Sequence, residues 1–174
     1  MQLQEPLDLF TYELQDMYSA ETQILEALPK MIQAAKEEKL KTSLQQHLEE
    51  TKEQVKRLEK VGKILDMKFD GKECEGMKGL LKEGEEVMKL KGNEELIDKT
   101  LISGARKVEH YEIIGYKSLI MLAKQIRSEE AEKLLKQNLD EEEVADTKLT
   151  VLSKSDEAAS AMHNLVSAGQ QMFS

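Results

Sequence analysis

Four segments of this chain place apolar residues three and four positions apart, and a carboxylate or a histidine breaks into each of those stripes. The spacing requires helices, because residues three and four apart share one helical face. The interruptions require a reason for polar groups on that face. The first helix is predicted from near Glu5 and Pro6, proline being at ease in a first turn, to about residue 36. Its stripe is Leu7, Phe10, Leu14, Met17, Ile24, Leu28 and Met31, with Glu21 in the gap, and Pro29 is expected to bend the helix rather than end it. A second helix, about 38–67, carries Leu40, Leu44, Leu48, Val55, Leu58 and Leu65, with His47 near the centre of the face. A third, about 93–126, turns Leu101 or Ile102, Ala105, Tyr116, Leu119 and Ala123 inward, and Glu109 and Glu112 fall on the same line. In a fourth, about 128–154, Glu142 and Asp146 lie between Leu135, Leu139, Leu149 and Leu152.

The connections decide how such helices are arranged. Residues 68–93 hold five of the nine glycines around the amphipathic piece MKGLLKEGEEVMKL, which reads as a long crossover containing a short helix. The first and second helices, and the third and fourth, are joined by short links. One long link between two short ones is the connectivity of a ferritin-like, all-α, up-down four-helix bundle. The tail SDEAASAMHNLVSAGQ, with a Ser or Asp cap, is expected to add a short C-terminal helix at about 156–171 on the outside of a core bundle spanning about 5–155, the whole of 1–174 forming one domain.

Composition agrees and excludes other classes. Forty per cent of residues are apolar and 34% charged, with two prolines and no tryptophan, as in an all-helical protein. The net charge of -9 has both signs interspersed and no Lys/Arg block among aromatics, so no nucleic-acid partner is expected. Cys74 is the single cysteine and cannot form an internal disulfide. The opening MQLQEPLDLF lacks the basic start and apolar run of a signal peptide, and no apolar stretch approaches the roughly 20 residues of a membrane span, which points to a cytoplasmic protein without a membrane partner.

At 3.6 residues per turn Glu109 and Glu112 lie about 60° apart, both on the face that Ala105 and Tyr116 define. Glu142 and Asp146 are about 40° apart, in line with Leu135, Leu139 and Leu149. On the second helix Glu50 flanks the face centred on His47. Tyr116 and Tyr18 are expected to set their hydroxyls on these carboxylates. His110 points off the core face, toward the surface or a dimer interface, and His163 in the tail carries no signal. An unpaired buried carboxylate costs several kcal/mol, against a total domain stability of about 5–15 kcal/mol. Glu21, Glu50, Glu109, Glu112, Glu142 and Asp146 therefore call for compensation, and no lysine occupies the inward stripes beside them. Carboxylates with one imidazole suit a hard cation, iron or manganese more than zinc or copper. Glu21 and Glu50 are 29 positions apart and Glu112 and Glu142 are 30, so each helix pair returns to one level. Two metal ions per chain are expected there, with Glu21 and Glu109 as terminal ligands, Glu50 and Glu142 as bridges, and Glu112, His47 and Asp146 completing the shells. Oxidative or peroxide chemistry is one reading of such a centre; a non-catalytic structural bundle and an iron store are the others.

The runs YELQDMYSAETQ (12–23), HLEETKEQVKRLE (47–59), KVEHYEIIGYKSL (107–119) and LDEEEVADTKL (139–149) resemble the YciE/YciF-type stress proteins, a family of unknown function in the ferritin-like superfamily. The resemblance covers about residues 5–155. It implies a ferritin-like bundle, a di-metal site and a homodimer, with no established reaction, substrate or redox partner. Carried over by position, it implies Glu21, His47, Glu50, Glu109, Glu112, Glu142 and Asp146 as ligands. Ferritin-like di-iron proteins typically carry Glu-x-x-His on two helices. This chain instead has His47 three residues before Glu50, and Asp146 where a histidine is expected.

Overall fold

Five helices account for most of the chain in a computed structural model that describes residues 3–69 and 71–171, with side chains described as far as Lys154. Helix α1, Pro6–Ala34, starts where the Asp8 carboxylate accepts from the backbone N–H groups of Gln4 and Glu5, at 2.9 and 3.0 Å. It continues through Pro29. Its buried face begins at Phe10, because Leu7 stays 41% exposed, and Glu21 is buried among the apolar residues of the same stripe.

Helix α2, Glu38–Ile64, ends earlier than the periodicity predicts. Asp66 adopts a left-handed φ of 51°, and the Met67 N–H donates back to the Gly62 carbonyl at 2.8 Å, which closes the last turn. The start of α2 is held from a distance. Asp98, buried in the helix that follows the crossover, accepts from the N–H groups of Lys36 at 3.0 Å and Glu37 at 2.7 Å, satisfying donors that a helix N-terminus leaves free. Asp98→Ala is expected to destabilise the protein by about 0.5–2 kcal/mol, the range for a lost N-cap. Urea denaturation monitored by helical circular dichroism checks this; an unchanged midpoint would mean that solvent serves those two N–H groups equally well.

Helix α3, Glu75–Val87, is the short helix of the crossover, and α4, Glu94–Gln125, begins with the Asn93 side chain accepting from the Leu96 N–H at 3.1 Å. A tight link with Arg127 at φ 57° leads to α5, Glu129–Gln171. Here the expectation of a separate C-terminal helix is corrected: the backbone is helical from Glu129 through Gln171 without interruption. No proline or glycine stands between Glu129 and Ala168 to break it, and a Ser or Asp in a helix interior costs only a few tenths of a kcal/mol. The packing of that tail and the setting of His163 lie outside the described side chains.

Helix α1 packs beside α2 and α4, and α5 beside α2 and α4, which makes the expected four-membered ring, while α3 lies outside against α4 and α1. The core runs along the axis through Phe10, Leu14, Leu40, Leu58, Leu119 and Leu135. At the α1–α4 crossing a Cβ on Gly115 would collide with the Met17 methyl, so the methyl fills the space that a side chain there would take. No described helix is long and apolar enough to cross a membrane.

Candidate functional site

At mid-height the ring encloses acid instead of hydrocarbon. His47 of α2, Glu109 and Glu112 of α4, and Glu142 of α5 are all buried, and one ligand atom from each lies within 4.8 Å of the others. Glu21 of α1, also fully buried, adjoins that group of four on the side of Glu112. Each helix supplies its residue through the 3.6-residue period that lays down the core, so the cluster replaces one layer of that core.

Protein partners satisfy only part of it. The Tyr116 hydroxyl donates to Glu21 Oε1, and the Gln54 side-chain amide donates to Glu142 Oε1. His47 Nε2 lies 3.4 Å from Glu109 Oε1. Glu21 Oε2, Glu109 Oε2, Glu142 Oε2, both Glu112 oxygens and both His47 nitrogens have no hydrogen-bond partner in the protein. Behind Tyr116 a chain of contacts leads outward. Asn138 donates its amide to the Tyr116 oxygen at 2.9 Å, and Arg57 donates from Nε to Asn138 Oδ1 and from its terminal nitrogen to Glu141.

Acids crowded together away from water hold their protons. Burial pushes Glu21 well above the usual carboxylate range and the charge of Glu142 adds to that, opposed by the Tyr116 hydrogen bond and the Arg57 cation. Burial raises Glu109 from 4.5 to about 8. It lifts Glu112 further, with Glu142, Glu21 and Glu109 contributing repulsion, and it raises Glu142, where His47 opposes the shift. With no cation present the four acids therefore favour their protonated, neutral forms. As carboxylates the same groups have no donors, which is why their oxygens stand unpartnered.

Of the seven residues singled out in the sequence, His47, Glu109, Glu112 and Glu142 meet here and Glu21 adjoins them. Glu50 lies at the flank with its side chain 23% exposed, accepting from Gln46 at 2.7 Å and facing Lys148 at 3.8 Å. Asp146 is turned outward to Arg106, whose Nε donates at 2.7 Å, and lies 3.5 Å from exposed His110. Both acids therefore have compensating groups of their own and stand outside the cluster. Tyr18 stacks its ring on Phe69 and donates its hydroxyl to a carboxylate outside the cluster, that of Glu59, at 3.2 Å. Gln54, Asn138 and Arg57 escape a reading of the sequence. Gln54 is seven residues after His47 and Asn138 four before Glu142, so both sit on the inward lines, but a count of apolar and ionisable positions passes over amides.

Comparison with known proteins agrees with this architecture. The chain matches the domain of unknown function DUF892 over residues 5–162. It is 42% identical to protein YciF of Escherichia coli K12 over 147 residues, which is 84% of this chain and 89% of YciF. The crystal structure of that E. coli stress protein superposes with a TM-score of 0.84 at 41% identity, covering 87% of this chain and 96% of the other. YcfI of Rhodopseudomonas palustris gives a TM-score of 0.81 at 40% identity, covering 84% and 94%. A Xanthomonas campestris protein with 17% identity and a TM-score of 0.71 shares the fold. The chain is thus a homologue of a bacterial stress protein, built as a ferritin-like bundle, and it belongs to the DUF892 family.

Proposed function

We propose that this protein binds hard divalent cations, iron or manganese, in a dinuclear site made by Glu21, His47, Glu109, Glu112 and Glu142. The observation that carries the reading is the set of buried oxygens and imidazole nitrogens that have no hydrogen-bond partner in the protein. Buried polar atoms are nearly always paired, and those left over here converge on one space. The donors fit such ions: four carboxylates and one imidazole are an oxygen-rich set without thiolate, suited to iron or manganese. Four carboxylates also carry the charge that two divalent ions would cancel.

In this reading Glu112 lies centrally with both oxygens free, Glu21 and Glu142 approach from α1 and α5, and His47 and Glu109 close the side toward α2. Tyr116 and Gln54 each hold one carboxylate oxygen, fixing which oxygen faces the cations, as outer hydrogen bonds do at metal sites. Bound there, iron or manganese would supply one-electron chemistry toward a small oxidant, in keeping with the stress association of YciF.

Metal analysis of protein purified without chelator tests the reading. About two ions per chain are expected, with Glu21→Ala and Glu112→Ala abolishing both the metal content and the thermal stabilisation that added Mn²⁺ gives. A metal-free protein indifferent to Fe²⁺ and Mn²⁺ would sink the proposal and favour a purely structural bundle.

A further inference from the structure

Beneath α3, between it and α1 and α4, lies an apolar cavity of about 90 Å³. Ala27, Met31, Leu81 and Val108 line it, and the same four residues line a smaller space of about 10 Å³ that ends on His47 and Glu109. The two spaces therefore share a wall of side chains, one lying beneath α3 and the other at the edge of the carboxylate cluster. Ion pairs at the rim, Lys30–Glu85 at 3.1 Å and Lys107–Glu83 at 3.0 Å, tie α3 to α1 and to α4 across the outer cavity.

Two glycines face this cavity without a packing reason. A Cβ on Gly62, Gly76 or Gly115 would run into Phe69, Tyr111 or Met17. A Cβ on Gly84 of α3 or Gly104 of α4 would meet nothing within 4 Å, and both residues line the cavity. Glycine inside a helix is about 1 kcal/mol worse than alanine. At these two positions, from opposite walls, that cost leaves the cavity unfilled.

We propose that this cavity is the route by which a small, uncharged, apolar molecule of the size of dioxygen reaches the site, entering beneath α3 and arriving at His47 and Glu109. The proposal rests on the metal-centre reading for its purpose, though not for its test. The lining sets the selectivity: inside the charged rim the walls are mainly hydrocarbon, where ions and strongly polar molecules would lose hydration and gain few partners. The inner space, near the roughly 10–15 Å³ that accommodates one water, restricts passage to very small molecules.

Dissolved dioxygen is itself the probe, because it is paramagnetic and speeds the relaxation of nearby methyl protons. In metal-free protein under oxygen pressure, the methyl groups of Val108 and Leu44 are expected to relax faster than those of Leu14 and Leu119, which are buried away from both spaces. Gly104→Leu, which fills the outer cavity, should remove the excess at Leu44. Gly84→Leu should do the same from the opposite wall and serves if the first variant fails to fold. Equal enhancement at all four residues, or an excess at Leu44 that survives the substitutions, overturns the route. Because no metal takes part, this result is independent of the metal analysis: oxygen uptake without ion binding would sink the metal centre alone, and ion binding without oxygen uptake would sink the route alone.

Discussion

Metal-free protein carrying Glu112→Leu is expected to melt at a higher temperature than the unaltered chain, and to have lost the further rise that divalent ions produce. Glu112 is wholly buried, neither oxygen has a donor in the protein, and burial with three neighbouring acids drives its carboxyl well above the usual range. Replacing buried ionic groups with packed apolar ones is often neutral or stabilising by about 1–4 kcal/mol. In a domain of this size each kcal/mol moves the melting temperature by roughly 2–4 °C. An ordinary core truncation goes the other way. Leu119→Ala, at a wholly buried position further along α4, should cost about 2–5 kcal/mol. Thermal unfolding in chelator and in Mn²⁺ separates the cases: Glu112→Leu gains in the first condition and does not respond to the second. A lower melting temperature in chelator would mean that neighbouring side chains already satisfy this carboxyl, and the strongest support for a cation there would fall away.

The second large effect is a reversal of pH dependence. Glu109 is raised from 4.5 to about 8 by burial, and Glu21, Glu112 and Glu142 are raised too. A carboxyl that keeps its proton in the fold but releases it in the open chain favours the fold most in acid. Its contribution is fully present below the ordinary carboxylate value and is lost as pH rises toward the folded value. Without metal, stability should therefore fall between about pH 4.5 and 8, by about 1.4 kcal/mol per pH unit for each carboxyl still protonated in the fold. Cations invert the sign, because they bind the deprotonated acids and compete with protons. With Mn²⁺ present, stability should rise over the same window. Urea midpoints measured across it, with and without the ion, should cross; parallel curves would count against metal binding by these four acids.

How much of the fold and the site is legible in the sequence depends on the range of the interaction involved. The helices follow from stripes within single segments, and the ring follows from the lengths of the links, so the periodicity alone assigns Phe10, Leu58 and Leu119 to the core. The burial of Glu21, Glu109, Glu112 and Glu142 also follows from angle alone. Glu50 and Asp146 show where that method stops. A helical wheel gives the direction of an acid but not what waits for it, and Lys148 and Arg106 approach from other helices. Helix ends set by a left-handed residue, as at Asp66, or by a distant side chain, as at Asp98, are similarly invisible to periodicity. The cavity at Gly84 and Gly104 exists only where three helices fail to fill a space, which no single stretch of chain encodes.

Gly115 has a bearing on chemistry although it offers no donor atom. The Met17 methyl of α1 occupies the space that a side chain there would take, between Glu112 and Tyr116, the residues that address Glu21 across the same gap. A larger residue at this position would have to displace that methyl first, so the seam on which the acids of α1 and α4 confront one another is filled by a thioether and not by a side chain of α4.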